Sequence, residues 1–279
     1  MMGSMRIEIK TDDQLKLMRR AGLVVAEGLQ AMQDAASPGM TTLEVDAVGR
    51  EVLARNNATS NFLNYGAEYG VGFAGVACIS VNEELVHGVP GSRVLAEGDV
   101  VSVDFGAIIQ GWHGDAAATF IIGEADPADE ALSEATRGAL WAGISQAKAG
   151  GRVSHVSRAI DEFVKAQPRR YGTLREYTGH GIGSSMHMDP DVPNFHKRGP
   201  SPKLDVGMAL AIEPMLTRGL HQTSVCEDDW TVVSRDGSRG AHWEHTVAIT
   251  RDGLWVLTAP DGGEAELAAR GVQFGPLSD

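Results

Sequence analysis

Leu95-Ala96-Glu97-Gly98-Asp99-Val100-Val101-Ser102-Val103-Asp104 can be laid on Leu204-Asp205-Val206-Gly207-Met208-Ala209-Leu210-Ala211-Ile212-Glu213. Each stretch has a leucine, a glycine three residues on, an apolar run that reads as an inner strand, and a carboxylate six residues after the glycine. A match of ten positions is short enough to arise by chance. If it is a repeat, the chain has two related halves, and a site on the axis between them receives one carboxylate from each. Upstream, Leu15, Met18, Leu23, Val25, Leu29 and Met32 recur at three-to-four spacing and predict an amphipathic helix over 11–36, stopped by Ser37-Pro38-Gly39. Thr41-Thr42-Leu43-Glu44 reads as a capping box that opens a second helix to about Arg55. Residues 76–82, 100–105 and 117–122 read as strands, and 127–149 and 153–166 as helices. From 174 on, short β runs (208–212, 229–233, 242–250 and 255–258) alternate with Gly/Pro turns. There is no long linker, charge block or low-complexity tract. The expectation is a single α+β domain over residues 7–279. Residues 1–6, which include Met1-Met2-Gly3-Ser4-Met5, read as an appended, disordered segment.

Composition narrows the class. With 43% hydrophobic and 22% charged residues over 279 positions, the chain is neither disordered nor fibrous. Its 24 basic against 37 acidic residues give a net charge of −13, which argues against a broad nucleic-acid surface and suits cationic ligands. Two cysteines, Cys78 and Cys226, make neither a disulfide scaffold nor a thiolate zinc site, and reduced thiols are expected. No run of 18 or more apolar residues could span a membrane, and no secretory leader is visible, so the expected location is the cytoplasm.

Asp104 follows the apolar run 100–103, where a lone carboxylate is costly unless paired, protonated or bound to a metal. A turn near Gln110-Gly111 makes 100–122 a hairpin and puts Asp104 within cross-strand reach of positions 115–117. Asp104 and Asp115 then repel unless a divalent cation lies between them. The alternative is one aspartate paired with an arginine and the other capping a turn. Glu213 repeats the pattern at the end of its own apolar run, although a strand-end glutamate facing solvent reads equally well. Glu244 sits inside 242–250, where alternation places Glu244, Thr246 and Ala248 on one face. Gly179-His180-Gly181-Ile182-Gly183 folds tight backbone around an imidazole, as a ligand or as a partner of a backbone carbonyl. Together, four carboxylates and one histidine form an oxygen-rich set suited to Mn, Co, Fe(II) or Zn in a two-metal site. Such a site makes a bridging hydroxide near neutral pH and clamps a scissile carbonyl, so acyl transfer to water is the natural chemistry. Gly70-Val71-Gly72-Phe73-Ala74-Gly75 matches a dinucleotide-binding fingerprint but lacks the helix that must follow it. Ser184-Ser185 lacks the elbow of a serine nucleophile.

These residues belong to a set of motifs that resembles type I methionine aminopeptidase, of the pita-bread metallopeptidase family. The set comprises Met18-Arg19-Arg20-Ala21-Gly22, the run 80–90 ending His87-Gly88-Val89-Pro90, Val103-Asp104-Phe105-Gly106 and His113-Gly114-Asp115. It continues with the glycine-flanked His180, Val192-Pro193-Asn194-Phe195, Ile212-Glu213-Pro214 and Glu244-His245-Thr246-Val247. The resemblance runs from about Ile7 to Thr258. It implies two pseudo-symmetric halves of antiparallel sheet with flanking helices, and two divalent metal ions held by Asp104, Asp115, His180, Glu213 and Glu244. It implies that Asp115 and Glu244 bridge the ions. Glu213 relays the proton from the attacking water to the leaving amine, His187 bonds the substrate amide or oxyanion, and His87 contacts the peptide near the scissile bond. Phe73, Met186 and Trp230, with Cys78 nearby, fall at the positions that hold the methionine side chain. The implied substrates are N-terminal Met peptides and nascent chains with a small second residue. The protein is expected to be a monomer that docks transiently at the ribosome, with no stable nucleic-acid or membrane partner.

Several positions depart from that pattern. His187-Met188-Asp189-Pro190 replaces His-Glu-x-Pro, and Met186 stands where an aromatic is common. Gly240 replaces a serine near a monovalent-cation site, so no such site is expected. His242-Trp243-Glu244-His245 replaces Gln-Phe-Glu-His and adds an imidazole on the face of Glu244, placed to tune a ligand or change metal preference. The pattern is that of a divergent bacterial paralogue. Two other readings compete: a proline-directed peptidase on the same fold, and a non-catalytic binding module. Relatives of the second kind lose their ligands, and all five are present here.

Overall fold

The computed structural model describes residues 7–278, so the expectation for residues 1–6 lies outside the described residues. The first half runs α1 (Asp12–Ala35), α2 (Thr42–Arg55), β1 (Thr59–Ser60), β2 (Ala77–Val81), β3 (Glu84–Val86), β4 (Val100–Ile109) and β5 (Trp112–Ile121). The second continues with α3 (Pro127–Ile144), α4 (Val153–Lys165), β6 (Gly172–Thr173), β7 (Gly179–Gly181), β8 (Met188–Val192), β9 (Ala209–Ile212) and β10 (Met215–Thr217). It closes with β11 (Thr223–Val225), β12 (Val232–Ser234), β13 (Gly240–His242), β14 (Glu244–Ile249), β15 (Leu254–Val256) and α5 (Glu264–Ala269). The main sheet has the order β1-β4-β5-β14-β9-β7-β8, with β2 on β4 and β15 on β14, and its named pairs are antiparallel. Two three-stranded sheets, β13-β10-β6 and β11-β12-β3, flank it.

Each half lays a helix pair on its part of the sheet. Val25 and Met32 of α1 and Val45 and Val52 of α2 pack on Val103 and Phe105. In the second half Leu132, Leu140 and Ile144 of α3 and Val156 and Ile160 of α4 pack on Leu210, Ile212 and Val247. Full burial of one such side chain contributes about 1.5–3 kcal/mol. Both helices of the first pair open with a capping box, Thr11 with Gln14 and Thr41 with Glu44.

The short repeat is structural. Leu95 and Leu204 are buried, and each carbonyl accepts a hydrogen bond from the glycine before its helix, Gly39 (2.8 Å) and Gly150 (2.9 Å). Gly98 and Gly207 both turn with positive φ, +78° and +87°, a region glycine enters without steric cost. The Gly98 N–H donates to Ile122 and the Gly207 N–H to Ile249, at 2.7 and 2.9 Å. Asp104 and Glu213 therefore occupy equivalent places, one on β4 and one directly after β9.

The strands read at 100–105 and 117–122 are longer, Val100–Ile109 and Trp112–Ile121, and three further boundaries differ for local reasons. The third helix ends at Ile144 rather than near 149, because the Gln146 and Ala147 amides bond three residues back and Gly150 turns to Leu204. The run 229–233 is mostly a turn: the Asp228 carboxylate accepts from the amides of Trp230 and Thr231, and β12 starts only at Val232. The run 242–250 is two strands. The chain leaves the small sheet after His242, half-buries Trp243 with its indole donating to Ser133 Oγ (3.0 Å), and joins the main sheet at Glu244.

Candidate functional site

Four neighbouring strands of the main sheet, together with β7, carry the chemistry. The β4–β5 hairpin turns at Gln110-Gly111, both with positive φ, and sets Asp104 opposite Ala117 and Asp115 opposite Gly106. Ala117 is in turn opposite Glu244, so two carboxylates flank one small side chain across three strands. His180 pairs with Ala211 of β9, one strand from Glu244. The Thr246 hydroxyl locks the seam between the halves: it accepts from the Asp115 N–H (3.1 Å) and donates to the Asp115 carbonyl (2.8 Å).

The cluster is buried and uncompensated. Asp115, Glu244 and His180 are 3%, 2% and 6% exposed. Asp104 Oδ1, Asp115 Oδ1, Glu244 Oε1 and His242 Nε2 are sealed from solvent with no hydrogen-bond partner. Among the described residues no lysine or arginine pairs with any of these carboxylates; the only basic side chains against them are histidines. Burial pushes Asp104 up to about 7, against the pull of His242. Burial, then the Asp104 charge, raises Asp115, and burial, then the Asp115 charge, raises Glu244. Burial alone raises Glu213.

His180 fixes the sign of what belongs here. Burial, then His187, holds it down at about 3, so its ring is neutral. Its Nδ1 lies 2.9 Å from the Gly181 carbonyl, which can only accept, so the proton sits on Nδ1. Nε2 then presents a lone pair to Glu213 Oε1 at 3.3 Å. Once Glu213 is ionised two acceptors face each other, and a cation between them satisfies both. Ligand atoms of Asp115, His180 and Glu244 lie within 4.8 Å of one another, as do those of Glu213, His242 and Glu244. Carboxylate oxygens with few imidazoles fit divalent first-row ions.

The five expected metal ligands, the two expected substrate-contacting histidines and the four expected pocket residues all line one cavity of about 90 Å³, whereas His242 lies behind its wall. Asp104, Asp115, His180, Glu213 and Glu244 form its polar side. Phe73, Cys78, Met186 and Trp230 form its apolar side, and His87 and His187 also line it. Phe73 meets Trp230 edge-on at 5.5 Å, and Met186 is 4% exposed. Burial, then nearby Asp104, raises the Cys78 thiol far above its usual range and keeps it an inert wall. The fingerprint decoy at 70–75 belongs to the same wall: the Val71 carbonyl accepts the Trp230 indole N–H at 3.0 Å. Sequence reasoning missed Phe62 and Tyr65. The Tyr65 hydroxyl bonds His187 Nδ1 at 2.7 Å. Both lie on an irregular loop with no periodicity, and a tyrosine at the start of a glycine-rich stretch was the only signal.

The model of metallopeptidase family M24 matches residues 16–251. The chain is 48% identical over 250 residues to methionine aminopeptidase 1 of Mycobacterium tuberculosis, covering 88% of this chain and 92% of that protein. It is 42% identical over 249 residues to methionine aminopeptidase 1 of Bacillus subtilis, covering 89% and 98%. The crystal structure of methionine aminopeptidase from Thermotoga maritima superposes with a TM-score of 0.86 at 41% identity, covering 91% of this chain and 99% of that one. Prolidase from Pyrococcus furiosus superposes at 0.71 with 21% identity over 90% of this chain and 65% of its own, a likeness of fold alone. The chain belongs to metallopeptidase family M24 and has its pita-bread fold. Within the family it falls with the type I methionine aminopeptidases.

Proposed function

We propose that the chain is a metal-dependent aminopeptidase that removes N-terminal methionine from peptides and nascent chains with a small second residue. The observation that carries this is an uncompensated carboxylate–imidazole cluster forming one wall of a cavity whose opposite wall is apolar and whose volume suits one side chain. Asp104, Asp115, His180, Glu213 and Glu244 would hold two divalent ions (Co, Mn, Fe(II) or Zn), Asp115 and Glu244 lying centrally enough to serve either one. When bound, such ions act as Lewis acids and make water a nucleophile near neutral pH. Phe73, Met186, Trp230 and Cys78 hold the unbranched thioether side chain, and the acidic cluster receives the free α-amine. Glu213, its proton affinity raised by burial, takes a proton from the attacking water and delivers it to the leaving amine. With the Tyr65 hydroxyl donating to Nδ1, His187 carries its proton on Nε2 and donates it to the developing oxyanion. His87 contacts the peptide beside the scissile bond; burial, then His242, holds it neutral, at about 4.

The protein acts as a cytoplasmic monomer that meets the ribosome only in passing. Its charge of −13 supports this, as does the lack, among the described residues, of a helix long and apolar enough to cross a membrane. The test is hydrolysis of Met-Ala-Ser by chelated protein after add-back of each metal, with Xaa-Pro peptides and Asp104→Ala as controls. Metal-dependent release of methionine that Asp104→Ala abolishes is expected. Turnover of Xaa-Pro peptides alone overturns the substrate assignment, and no turnover with any metal overturns the catalytic one.

A further inference from the structure

We propose that His242 is a sixth protein ligand of the metal centre, the counterpart in the second half of Asp115 in the first. The inference rests on the metal-centre reading above. Three observations carry it.

The first is register. In the first half Asp104 lies opposite Ala117, and two positions along Asp115 lies opposite Gly106. In the second half β9 and β14 pair His245 with Ile212, a register that sets Glu244 against Glu213. Two positions along, His242 lies opposite Met215. Since Glu213 is the equivalent of Asp104, His242 is the equivalent of Asp115.

The second is a reciprocal pair of hydroxyls. Thr246 of the second half clasps the backbone of Asp115 through both its N–H and its carbonyl. Thr119 of the first half clasps His242 in the same way, accepting from its N–H at 2.9 Å and donating to its carbonyl at 2.8 Å. Each half thus pins the ligand position of the other with a threonine four residues beyond its own.

The third is the imidazole itself. His242 is 2% exposed and its Nε2 has no hydrogen-bond partner. That atom lies 3.6 Å from Glu213 Oε2 and 3.9 Å from Glu244 Oε2. These separations are too long for hydrogen bonds. They suit two donors that share an ion, since ligand atoms each about 2.0–2.2 Å from a metal lie about 3–4 Å apart. A nitrogen donor at a place held by a carboxylate in the other half makes the set less anionic. It favours ions that accept imidazole readily, such as Zn, Co and Fe(II), over Mn.

The test compares wild type, His242→Gln and His242→Asp, each loaded with Co(II), by calorimetric titration and by X-ray absorption fine structure. Multiple scattering from imidazole should report both His180 and His242 in wild type and His180 alone in either variant. His242→Gln should lose affinity for one ion by about tenfold or more. His242→Asp, which copies the Asp115 side of the repeat, should retain wild-type stoichiometry without the second imidazole signal. An unchanged imidazole signal in both variants overturns the assignment of His242 and leaves the metal centre standing. A wild-type protein that binds no Co(II) overturns both.

Discussion

Asp129 and Glu244 are both carboxylates sealed in the interior, at 0% and 2% exposure, yet they are held in opposite ways. Asp129 receives Arg218 on Oδ1 at 2.7 Å and Arg239 on Oδ2 at 2.5 Å. Asp46, equally buried, accepts the Arg50 guanidinium and the amides of Val76 and Ala77. Glu244 has three acidic neighbours, no protein cation, and an oxygen without a partner. The fold compensates buried charge where the charge is architectural. Where it leaves charge uncompensated, four times in one cavity, the partner has to come from outside the chain.

The largest expected effect tests that contrast at its sharper end. Glu244→Ala should cut methionine release by about a thousandfold or more, roughly 4 kcal/mol of lost transition-state stabilisation. The melting temperature of the metal-free protein should hold or rise, because one member of a repelling cluster is gone. Activity assays and calorimetry on the chelated protein check both. A melt that drops sharply would make Glu244 a structural carboxylate like Asp129.

Asp129→Asn is the opposite experiment. It leaves Arg218 and Arg239 facing a neutral amide and should cost about 2–3 kcal/mol. That is less than a fully buried pair would cost, because each guanidinium side keeps about a third of its surface in water. Denaturant unfolding measures the loss, and kcat/KM of the folded fraction should stay within a few-fold of wild type.

The two classes of carboxylate also part with pH. A carboxyl whose folded pKa is raised keeps its proton in the native state after the unfolded chain, titrating near 4, has lost its own. Stability from such a group is full below about pH 4 and is lost as pH rises through the folded value. For Asp104 that value is about 7, and Asp115, Glu213 and Glu244 shift in the same direction. The buried imidazoles His87 and His180 sit low, at about 4 and about 3, and act oppositely. Their contribution is complete once the unfolded imidazoles have deprotonated, near pH 6.5. Between pH 6.5 and 8 the metal-free protein should therefore melt at progressively lower temperature. Saturating divalent ion should flatten the slope, and Asp104→Asn should weaken it. A rise in melting temperature over that window would break the contrast.

The compensated and uncompensated sites were not equally legible in the sequence. Asp104, Asp115, Glu213 and Glu244 stand out because a carboxylate at the edge of an apolar run needs explaining, and the repeat of Leu95 and Leu204 shows that two halves share the explanation. The Asp129 pairing was invisible: Arg218 and Arg239 lie about a hundred residues away, and only the packing of the second half brings them together. The strand boundaries at 229–233 and 242–250 failed for the same reason. An aspartate that bonds backbone two and three residues on, and a tryptophan that steps between sheets, are decided by partners that periodicity does not name.

The smallest effect concerns how the imidazoles are pinned, and it carries the comparison from carboxylates to bases. His180 is buried and held by a backbone carbonyl, so its tautomer cannot be changed by substituting another side chain. His187 is exposed at the cavity and is held by a removable group, the Tyr65 hydroxyl at 2.7 Å. Tyr65→Phe keeps the ring that packs edge-on against Trp230 and His187 and deletes only that bond. With Nδ1 unpartnered, His187 is free to take the tautomer whose Nε2 accepts rather than donates, and the oxyanion loses its donor in part of the population. A fall in kcat of about tenfold with little change in KM is expected, below the hundredfold or more typical of deleting an oxyanion donor outright. His187→Ala should show that larger loss, and adding Tyr65→Phe to it should cost nothing more, since the hydroxyl acts only through the imidazole. Additive losses in the double variant would mean that Tyr65 touches the substrate itself.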